Sequence, residues 1–276
     1  IDVFTAEPIP ADHPLIGAPN IILTPHLGAS TVEAQIGVSL DVSKAIRAAL
    51  HGEPVATAVN LAPVSPQVMK VIAPYLTLAE RLGCTVCSLV EGAISSVEVA
   101  FSGEITEVNT ALLTTAVLKG MLNPIMENEV NYVNAPGFAK ERGIKVTEVK
   151  NKVAENFMNL ITVKVTAGGK ETVVQGTLFG EEGRIVRIDK FRVDVDPHAR
   201  ILICPHINRP GIIGKVGSLM GERGINISCM QVGKTDVDGT NLMVLTIDND
   251  VSAEVIDKVK EVDGIFDAKL VNFYAL

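Results

Sequence analysis

Residues 199–228 read "ARILICPHINRPGIIGKVGSLMGERGINIS", and this stretch indicates the fold of the last part of the chain. Its apolar run over 199–207 predicts a strand, and apolar residues at helical spacing after the Pro-Gly pair predict a helix over 211–222. The elements predicted next are a strand, an Asp-Gly turn at Asp238 and Gly239, a strand, a helix and a strand, over 225–234, 240–248, 252–262 and 266–274. This βαββαβ order is the ferredoxin-like arrangement, in which helices cover one face of an antiparallel sheet.

The Pro-Gly pair at the start of this helix favours an anion-binding turn. Pro210 is predicted at the first helical position, and Gly211 lets a ligand approach the backbone. The N–H groups of Ile212 and Ile213 then lie at the positive end of the helix without intrahelical partners. A carboxylate fits at such a position.

Three polar residues near this turn indicate what else the ligand carries. His206 and Asn208 precede the helix, and Asn226 begins the next strand, so together they offer donors and acceptors for an ammonium and a carboxylate. A small zwitterion such as an amino acid is therefore the predicted ligand. The alternative for each residue is structural: Asn208 caps the helix, Asn226 adopts a tight-turn conformation, and His206 is a polar edge residue.

A second histidine-bearing loop, "TPHLGAST" over residues 24–31, lies near the beginning of the chain. The runs "IDVF" at 1–4 and "NIILTPH" at 20–26 predict strands, and the spacing of apolar residues predicts a helix over 32–50. Ser30 or Thr31 is the predicted N-cap of that helix and Gly52 its end. A strand, a short loop and a helix in this order indicate an α/β fold.

His26 in this loop is a candidate for proton transfer, because histidine titrates near neutral pH. Glu7, in "DVFTAEP", is a carboxylate that would fix the tautomer of His26 and raise its pKa. The alternative is a ring whose nitrogens only bond the backbone.

The part between these loops, residues 63–195, is predicted to be α+β, and prolines in "GEPVATAVNLAPVSP" mark the boundary before it. The predicted elements are a helix, a strand, a helix and three strands, the last two joined by a Gly-Gly hairpin turn, over 68–89, 93–103, 109–126, 145–150, 159–169 and 170–180. The domain prediction is therefore 1–62, 63–195 and 199–276, a multi-domain chain of α/β and α+β parts.

Two weaker signals lie in the middle part. "GRIVRIDKFR" at 183–192 brings four basic residues close together, namely Arg184, Arg187, Lys190 and Arg192. Two of them could bind a phosphate group if they share a face, and Arg184 and Arg192 are the candidates. The alternative is a solvated strand with scattered charge. Cys84 and Cys87 form a C-x-x-C, but with no second cysteine pair and no histidine nearby they are predicted to be core cysteines rather than a metal or redox site.

The composition excludes some partners. A formal net charge of −8 over 276 residues argues against nucleic acid and anionic membranes as partners. No apolar run approaches the roughly 18 residues that span a bilayer, and there is no signal-peptide pattern. Four cysteines fit a reducing compartment, so a cytoplasmic location is expected. Since Ile1 is not a start methionine, the chain is interpreted as a C-terminal piece of a longer one.

The motifs "DVFTAEP", "HPL" and "NIILTPHLGASTVEAQ" resemble the end of the catalytic region of the D-2-hydroxyacid dehydrogenase family, and most specifically its branch that oxidises 3-phosphoglycerate to 3-phosphohydroxypyruvate for L-serine biosynthesis. The resemblance implies the tail of a Rossmann-type region, NAD as cofactor, His26 as catalytic acid/base and Glu7 as its partner. It also implies cofactor contacts at Asp2 and Gly28. The Gly-rich dinucleotide loop does not occur in these residues, so the chain alone is expected to lack hydride transfer activity.

The stretch around His206 resembles the ACT domain, a ferredoxin-like module that binds amino acids. The resemblance implies L-serine as effector, contacted by His206, Asn208, Ile212, Ile213 and Asn226 at an interface between two ACT domains of a homo-oligomer. The middle part resembles the intervening, allosteric substrate-binding domain of the longer members of the same branch. The alternative function is a stand-alone amino-acid-binding and dimerisation module without catalysis.

Overall fold

The computed structural model describes residues 1–51, 55, 57–60, 64–154, 156–235 and 239–275. Contacts divide the chain into two units, Ile1–Val59 and Asn60–Leu276. The predicted boundary at 62 and 63, the helix end at Gly52 and the turn residue Asp238 lie outside the described residues. Within the described residues, no helix combines the length and apolarity needed to cross a bilayer.

Among its described residues, the first unit has one regular element, the helix α1 (Val32–Leu50). Thr31 is its N-cap, because its side chain accepts a hydrogen bond from the N–H of Ala34 at 3.1 Å. The strands predicted at 1–4 and 20–26 were wrong. These segments are held side by side only by a few hydrogen bonds, such as Thr24 N to Ile1 O at 3.0 Å, which are too few for a strand ladder.

The middle part of the second unit is built on a mixed six-stranded sheet. Its strands are β1 (Ile94–Gly103), β2 (Lys145–Asn151), β3 (Asn159–Ala167), β4 (Lys170–Phe179), β5 (Glu182–Ile188) and β6 (Phe191–Val195). Their order is β2-β1-β3-β4-β5-β6, with β1 and β2 parallel and every other pair antiparallel. The hairpin predicted between β3 and β4 is confirmed, since Gly168 and Gly169 both have positive φ.

Helices pack on this sheet and on one another. They are α2 (Pro66–Leu89), α3 (Ala111–Leu122) and the short α4 (Ala135–Glu141), which was not predicted. The helix predicted over 109–126 ends early, because Pro124 belongs to a 3-10 turn, Asn123–Ile125. At the crossing of α2 and α3, a Cβ on Gly120 would lie 1.9 Å from the Glu80 carbonyl oxygen, so only glycine allows this close approach.

A buried polar cluster joins the same two helices. The Lys119 ammonium lies 3.0 Å from both carboxylate oxygens of Glu80, and the Tyr132 hydroxyl donates to the same carboxylate. The Lys119 and Glu80 side chains are only 10% and 12% exposed. Desolvation of the phenol, together with the Glu80 charge, raises the pKa of Tyr132. The ammonium charge is thus compensated where burial would otherwise make it costly.

The last part has the predicted ferredoxin-like topology. Its elements are β7 (Arg200–Ile207), α5 (Ile212–Glu222), β8 (Ile227–Lys234), β9 (Thr240–Ile247), α6 (Ala253–Lys260) and β10 (Lys269–Asn272), with sheet order β10-β7-β9-β8. One sheet face, including Leu202 and Cys204, packs with residues of the two helices. The other face, including Ile201 and Ile203, shares a core with the middle part, so the two parts are continuous. The Cys84 thiol of α2 also contacts the carbonyl of Asn272 in β10, with 3.9 Å between sulfur and oxygen.

Pro210 does not occupy the first helical position, and that prediction was wrong. Gly211 is the N-cap of α5 with φ of 91°, and the helix begins at Ile212. A left-handed residue at this place interrupts the helical path, and glycine adopts that conformation at little cost.

Candidate active site and effector site

Asp2 organises the loop that carries His26. Its Oδ1 atom accepts hydrogen bonds from the Thr24 hydroxyl and the Leu27 N–H, both at 2.6 Å, and Oδ2 accepts from the Gly28 N–H at 2.8 Å. These bonds, that of Thr24 first, lower the pKa of Asp2, so its carboxylate stays charged. Asp2 and Gly28, which were both predicted as cofactor contacts, are therefore hydrogen-bonded to each other.

His26 and Glu7 form a hydrogen-bonded pair, with Nδ1 and Oε2 2.8 Å apart. The other oxygen of Glu7 accepts from the N–H of Phe4 at 3.1 Å, which fixes the orientation of the carboxylate. Glu7 raises the pKa of His26 by this hydrogen bond and by its charge, and the same hydrogen bond lowers the pKa of Glu7. Since the His26 side chain is 58% exposed, its ring is open to a reactant in solution.

This arrangement has the chemistry of a general acid/base. A carboxylate on Nδ1 selects the tautomer that carries its proton there, which leaves Nε2 as the proton acceptor. When Nε2 takes up a proton, the neighbouring carboxylate stabilises the imidazolium. The alternative, a ring bonded only to backbone, does not describe His26.

His206 is buried, at 2% exposure, on the face of β7 that the helices cover. Its Nδ1 atom lies 2.8 Å from the Ile207 carbonyl oxygen, whereas its Nε2 atom is buried without a hydrogen-bond partner in the described part of the chain. Buried polar atoms are rarely left without a partner. His206 is therefore not the polar edge residue of the alternative interpretation.

Asn208 and the start of α5 lie directly after His206. The Asn208 N–H donates to the Gly239 carbonyl at 2.8 Å, and no side chain of the described residues caps the N-terminus of α5. Asn208 is thus not a helix cap. Ile212 is buried and Ile213 is exposed, and their N–H groups belong to the first turn, at the positive end of the helix.

Asn226 lies at the opposite end of the same sheet from His206. Asn226 precedes Ile227, which pairs with Ile247, whereas His206 pairs with Asn241. The six residue-to-residue steps from 241 to 247 span on the order of 20 Å at about 3.3 Å per step. One chain therefore does not bring Asn226 to His206. The Asn226 amide donates instead to the Asp248 carboxylate at 2.5 Å, and Asn226 does not have the positive φ of the tight-turn alternative.

The strand register separates Arg184 from Arg192. Arg192 pairs with Arg187, at the other end of β5 from Arg184. Arg184 donates to the Glu182 carboxylate at 2.8 Å, and that bond, with the charges of Asp196 and Asp194, raises the pKa of Arg184. Arg187 and Arg192 are therefore the two arginines that lie opposite each other on β5 and β6.

The cysteines of the C-x-x-C are buried in α2, as predicted. Burial raises the pKa of Cys84 to about 12 and that of Cys87 to about 11, so both thiols stay protonated. Among the described residues, no group of three His, Cys, Asp or Glu side chains is arranged to hold a metal ion.

Two residues of these sites escaped the sequence analysis. Thr24 fixes Asp2, and Asp248 binds the Asn226 amide. Arg187, the cross-strand neighbour of Arg192, belongs to the basic cluster that the sequence had already indicated in "GRIVRIDKFR". Pairing partners such as Asp248 depend on strand register, which no local pattern reveals.

Three stretches of the chain match models of known protein families. Residues 1–28 match the D-isomer specific 2-hydroxyacid dehydrogenase NAD binding domain, residues 71–189 the D-3-phosphoglycerate dehydrogenase intervening domain, and residues 201–264 the ACT domain.

Relatives named D-3-phosphoglycerate dehydrogenase match nearly the whole chain. That of Archaeoglobus fulgidus is 40% identical over 98% of this chain and 52% of its own length. Those of Methanocaldococcus jannaschii and Bacillus subtilis are 38% and 36% identical, each over 99% of this chain and 52% of their own length. By these matches the chain is similar to D-3-phosphoglycerate dehydrogenases over nearly its whole length, and it spans about half the length of the curated relatives that it matches.

Proposed function

We propose that this chain supplies the proton-transfer pair and a regulatory amino-acid site of an NAD-dependent dehydrogenase that oxidises 3-phosphoglycerate to 3-phosphohydroxypyruvate. The observation that carries the catalytic part is the 2.8 Å contact between His26 Nδ1 and Glu7 Oε2 on an open surface. His26 Nε2 accepts the proton of the substrate 2-hydroxyl, and Glu7 stabilises the imidazolium that forms. NAD, when bound, would supply the acceptor for the hydride that leaves the carbon carrying this hydroxyl.

The residues of the first unit fit only part of an NAD site. The N–H groups of Leu27 and Gly28 are already bonded to Asp2, so they are not free for a cofactor. The Asp2 carboxylate retains one lone-pair position, which suits a carboxamide N–H. The sequence contains no G-x-G-x-x-G loop for the pyrophosphate. These residues would therefore orient the nicotinamide end, and the remaining contacts come from elsewhere in the enzyme.

For the regulatory part, we propose L-serine as the ligand at the start of α5. The uncapped N-terminus of α5 favours the carboxylate, and the Asn208 side chain is exposed beside it. The partnerless Nε2 atom of His206 supports a ligand or water at this place. Serine is the product of the pathway that such a dehydrogenase opens, so binding here supports feedback regulation.

A second copy of the chain would complete this site. β8 is an edge strand of its sheet. If two copies pair antiparallel through β8 about a twofold axis, the start of one β8 lies beside the end of the other. Lys234, at the end of β8, pairs with Asn241 of β9, and Asn241 pairs in turn with His206 of β7. Asn226 of one copy would then approach His206 of the other, which favours a homo-oligomer.

The catalytic role is tested in a chimera. This chain replaces the matching part of the Archaeoglobus fulgidus relative, and NAD-dependent oxidation of 3-phosphoglycerate is measured. We expect His26→Asn to lower kcat by about 10² to 10⁴-fold, the usual contribution of a general acid/base, and Glu7→Gln to lower it less. His13→Asn is the control, because the described interactions of its ring are with Phe4 and the Leu15 N–H and do not include the ring of His26 or the carboxylate of Glu7. An active chimera that keeps its kcat in His26→Asn contradicts the role.

The effector role is tested by calorimetry with the 276-residue chain. L-serine is expected to bind and D-serine is not, since a site with three fixed polar groups distinguishes enantiomers. Asn208→Ala and Asn226→Ala should each abolish binding, although the two residues are at opposite ends of one sheet. Loss in Asn208→Ala with normal binding in Asn226→Ala would contradict the shared site, and no binding to a folded chain would contradict serine as effector.

The second candidate function is an amino-acid-binding and assembly module without catalysis. It is favoured by the short match to the NAD binding domain, which covers only residues 1–28. For the 276-residue chain by itself we expect this behaviour, namely no retention of NADH on a desalting column. Retention of NADH, or reduction of 3-phosphohydroxypyruvate by the chain alone, would overturn it.

We also propose a cytoplasmic location, because all four cysteines, Cys84, Cys87, Cys204 and Cys229, are free thiols, which a reducing compartment maintains.

The predicted phosphate contact in the middle part stays a proposal. The cross-strand pair Arg187 and Arg192 supports it better than Arg184, whose guanidinium already binds a carboxylate.

A further inference from the structure

Asp2 holds the backbone on both sides of His26. Its own carbonyl accepts the N–H of His26 at 2.9 Å, and its carboxylate accepts the next two N–H groups, of Leu27 and Gly28. The Thr24 hydroxyl donates to the carboxylate from the other side of the histidine. Three consecutive N–H groups of the loop therefore donate to one residue, Asp2.

The backbone at His26 requires such a restraint. Its φ is 57°, in the left-handed region that residues other than glycine seldom adopt. This conformation is unfavourable by itself and persists only where surrounding contacts impose it. Among the described hydrogen bonds of residues 24–28, four go to Asp2, whereas Ile1, Glu7 and Ser30 each make one. Asp2 is therefore the main restraint, because His26, Leu27 and Gly28 are exposed and make no buried packing.

We infer that Asp2 is a positioning residue whose carboxylate holds the 24–28 loop in the conformation that brings the His26 ring to Glu7. Its meaning for catalysis rests on the proposed function of His26. The inference differs from a role of Asp2 as a cofactor contact, because most of its bonding capacity is used within the loop. Asp2 also adds a negative charge near the ring, but Glu7 has the larger effect on the pKa of His26.

The test is an NMR titration of the His26 ring in the 276-residue chain, which needs neither substrate nor cofactor. In Asp2→Asn one oxygen is replaced by an NH₂ group, which faces an N–H instead of accepting from it. We expect the midpoint of the His26 titration to fall towards that of Glu7→Gln, and the Leu27 and Gly28 amide protons to exchange faster. Asp12→Asn, an exposed aspartate of the same unit, is the charge-matched control and should change neither.

An unchanged His26 midpoint in Asp2→Asn would overturn the inference. If Asp2→Asn loses the structure of the first unit, Thr24→Val decides, because it removes only the hydroxyl that fixes the carboxylate. We then expect a smaller fall of the same sign, and an unshifted midpoint overturns the inference. An inactive chimera with a shifted His26 midpoint would count against the proposed function alone.

Discussion

In residues 1–59 the helix α1 buries none of its side chains, whereas in residues 60–276 large clusters of buried apolar side chains fill the space between helices and sheets. The candidate sites follow this difference. His26 lies on an exposed loop that is shaped by hydrogen bonds to Asp2, and its partner Glu7 is also at the surface. His206 is enclosed in a core and is positioned by its strand.

The comparison shows two ways to place a functional group. A loop held by a few charged hydrogen bonds is sensitive to pH and to single polar substitutions, because each bond depends on an ionised carboxylate. A residue on a packed strand is sensitive to changes in the core, which act over the whole cooperative unit. Carboxylate pairs in the two units should therefore respond differently to mutation.

The largest expected effect is in the buried pair of the second unit. Lys119→Ala leaves the Glu80 carboxylate buried without its cation, and removal of one partner of a buried pair typically lowers the free energy of unfolding by about 3 to 5 kcal/mol. Urea denaturation measures this. The control Lys258→Ala removes an exposed pair with Glu261 in the same unit and should change the stability by less than about 1 kcal/mol. Equal effects of the two substitutions would remove the distinction between buried and exposed pairs.

A smaller effect is expected at the crossing of α2 and α3. Gly120→Ala places a Cβ against the Glu80 carbonyl oxygen, so the helices have to move apart, at about 1 to 3 kcal/mol of unfolding free energy. Gly217→Ala in α5 has open space at its Cβ and should stabilise the protein by about 0.5 to 1 kcal/mol. Thermal unfolding compares the two variants. A stable Gly120→Ala would mean that the crossing is less tight than described.

The smallest effect concerns the pH dependence of the first unit. The pKa of His26 is raised, so its contribution to loop order is complete below the ordinary histidine pKa of about 6.5 and is lost as the pH rises through the raised value. The pKa of Glu7 is lowered, so its contribution is present above about 4.3 and is lost as the pH falls through the lowered value.

Loop order should therefore be greatest between about pH 4.3 and 6.5. Hydrogen exchange of the Phe4 amide, which donates to Glu7, reports on it directly once the intrinsic pH dependence of exchange is subtracted. Glu7→Gln should flatten the profile. A profile that Glu7→Gln leaves unchanged would show that the pair does not order the loop.

Much of the second unit was predictable from local patterns. Apolar periodicity and turn residues located the ferredoxin-like elements within a few residues. They did so because each element buries a face against a neighbouring element, and this burial leaves a periodic apolar pattern in the sequence. The same reasoning failed at 1–4 and 20–26. An apolar run there indicates burial in a sheet, but the described segments make only isolated backbone hydrogen bonds.

The sites were predictable to different degrees. Residues His26 and Glu7 were proposed as a pair from their chemistry and a family resemblance, and the structure places them in contact. Asn226 and His206 were predicted to share a site, but within one chain they do not meet, because strand register puts them at opposite ends of the sheet. Arg184 and Arg192 are close in sequence, yet the β5–β6 hairpin pairs Arg192 with Arg187.

The sequence by itself determined the order of the elements and the residue types available for chemistry, since periodicity, turns and motifs are local properties. The tertiary structure alone decided which of these residues meet. Asp2 bonds to the 24–28 loop although more than twenty residues separate them in sequence. These bonds hold His26, whose backbone is left-handed, with its ring towards Glu7. Such contacts depend on how distant segments pack and pair, and that information is distributed over the whole fold rather than over any short stretch of sequence.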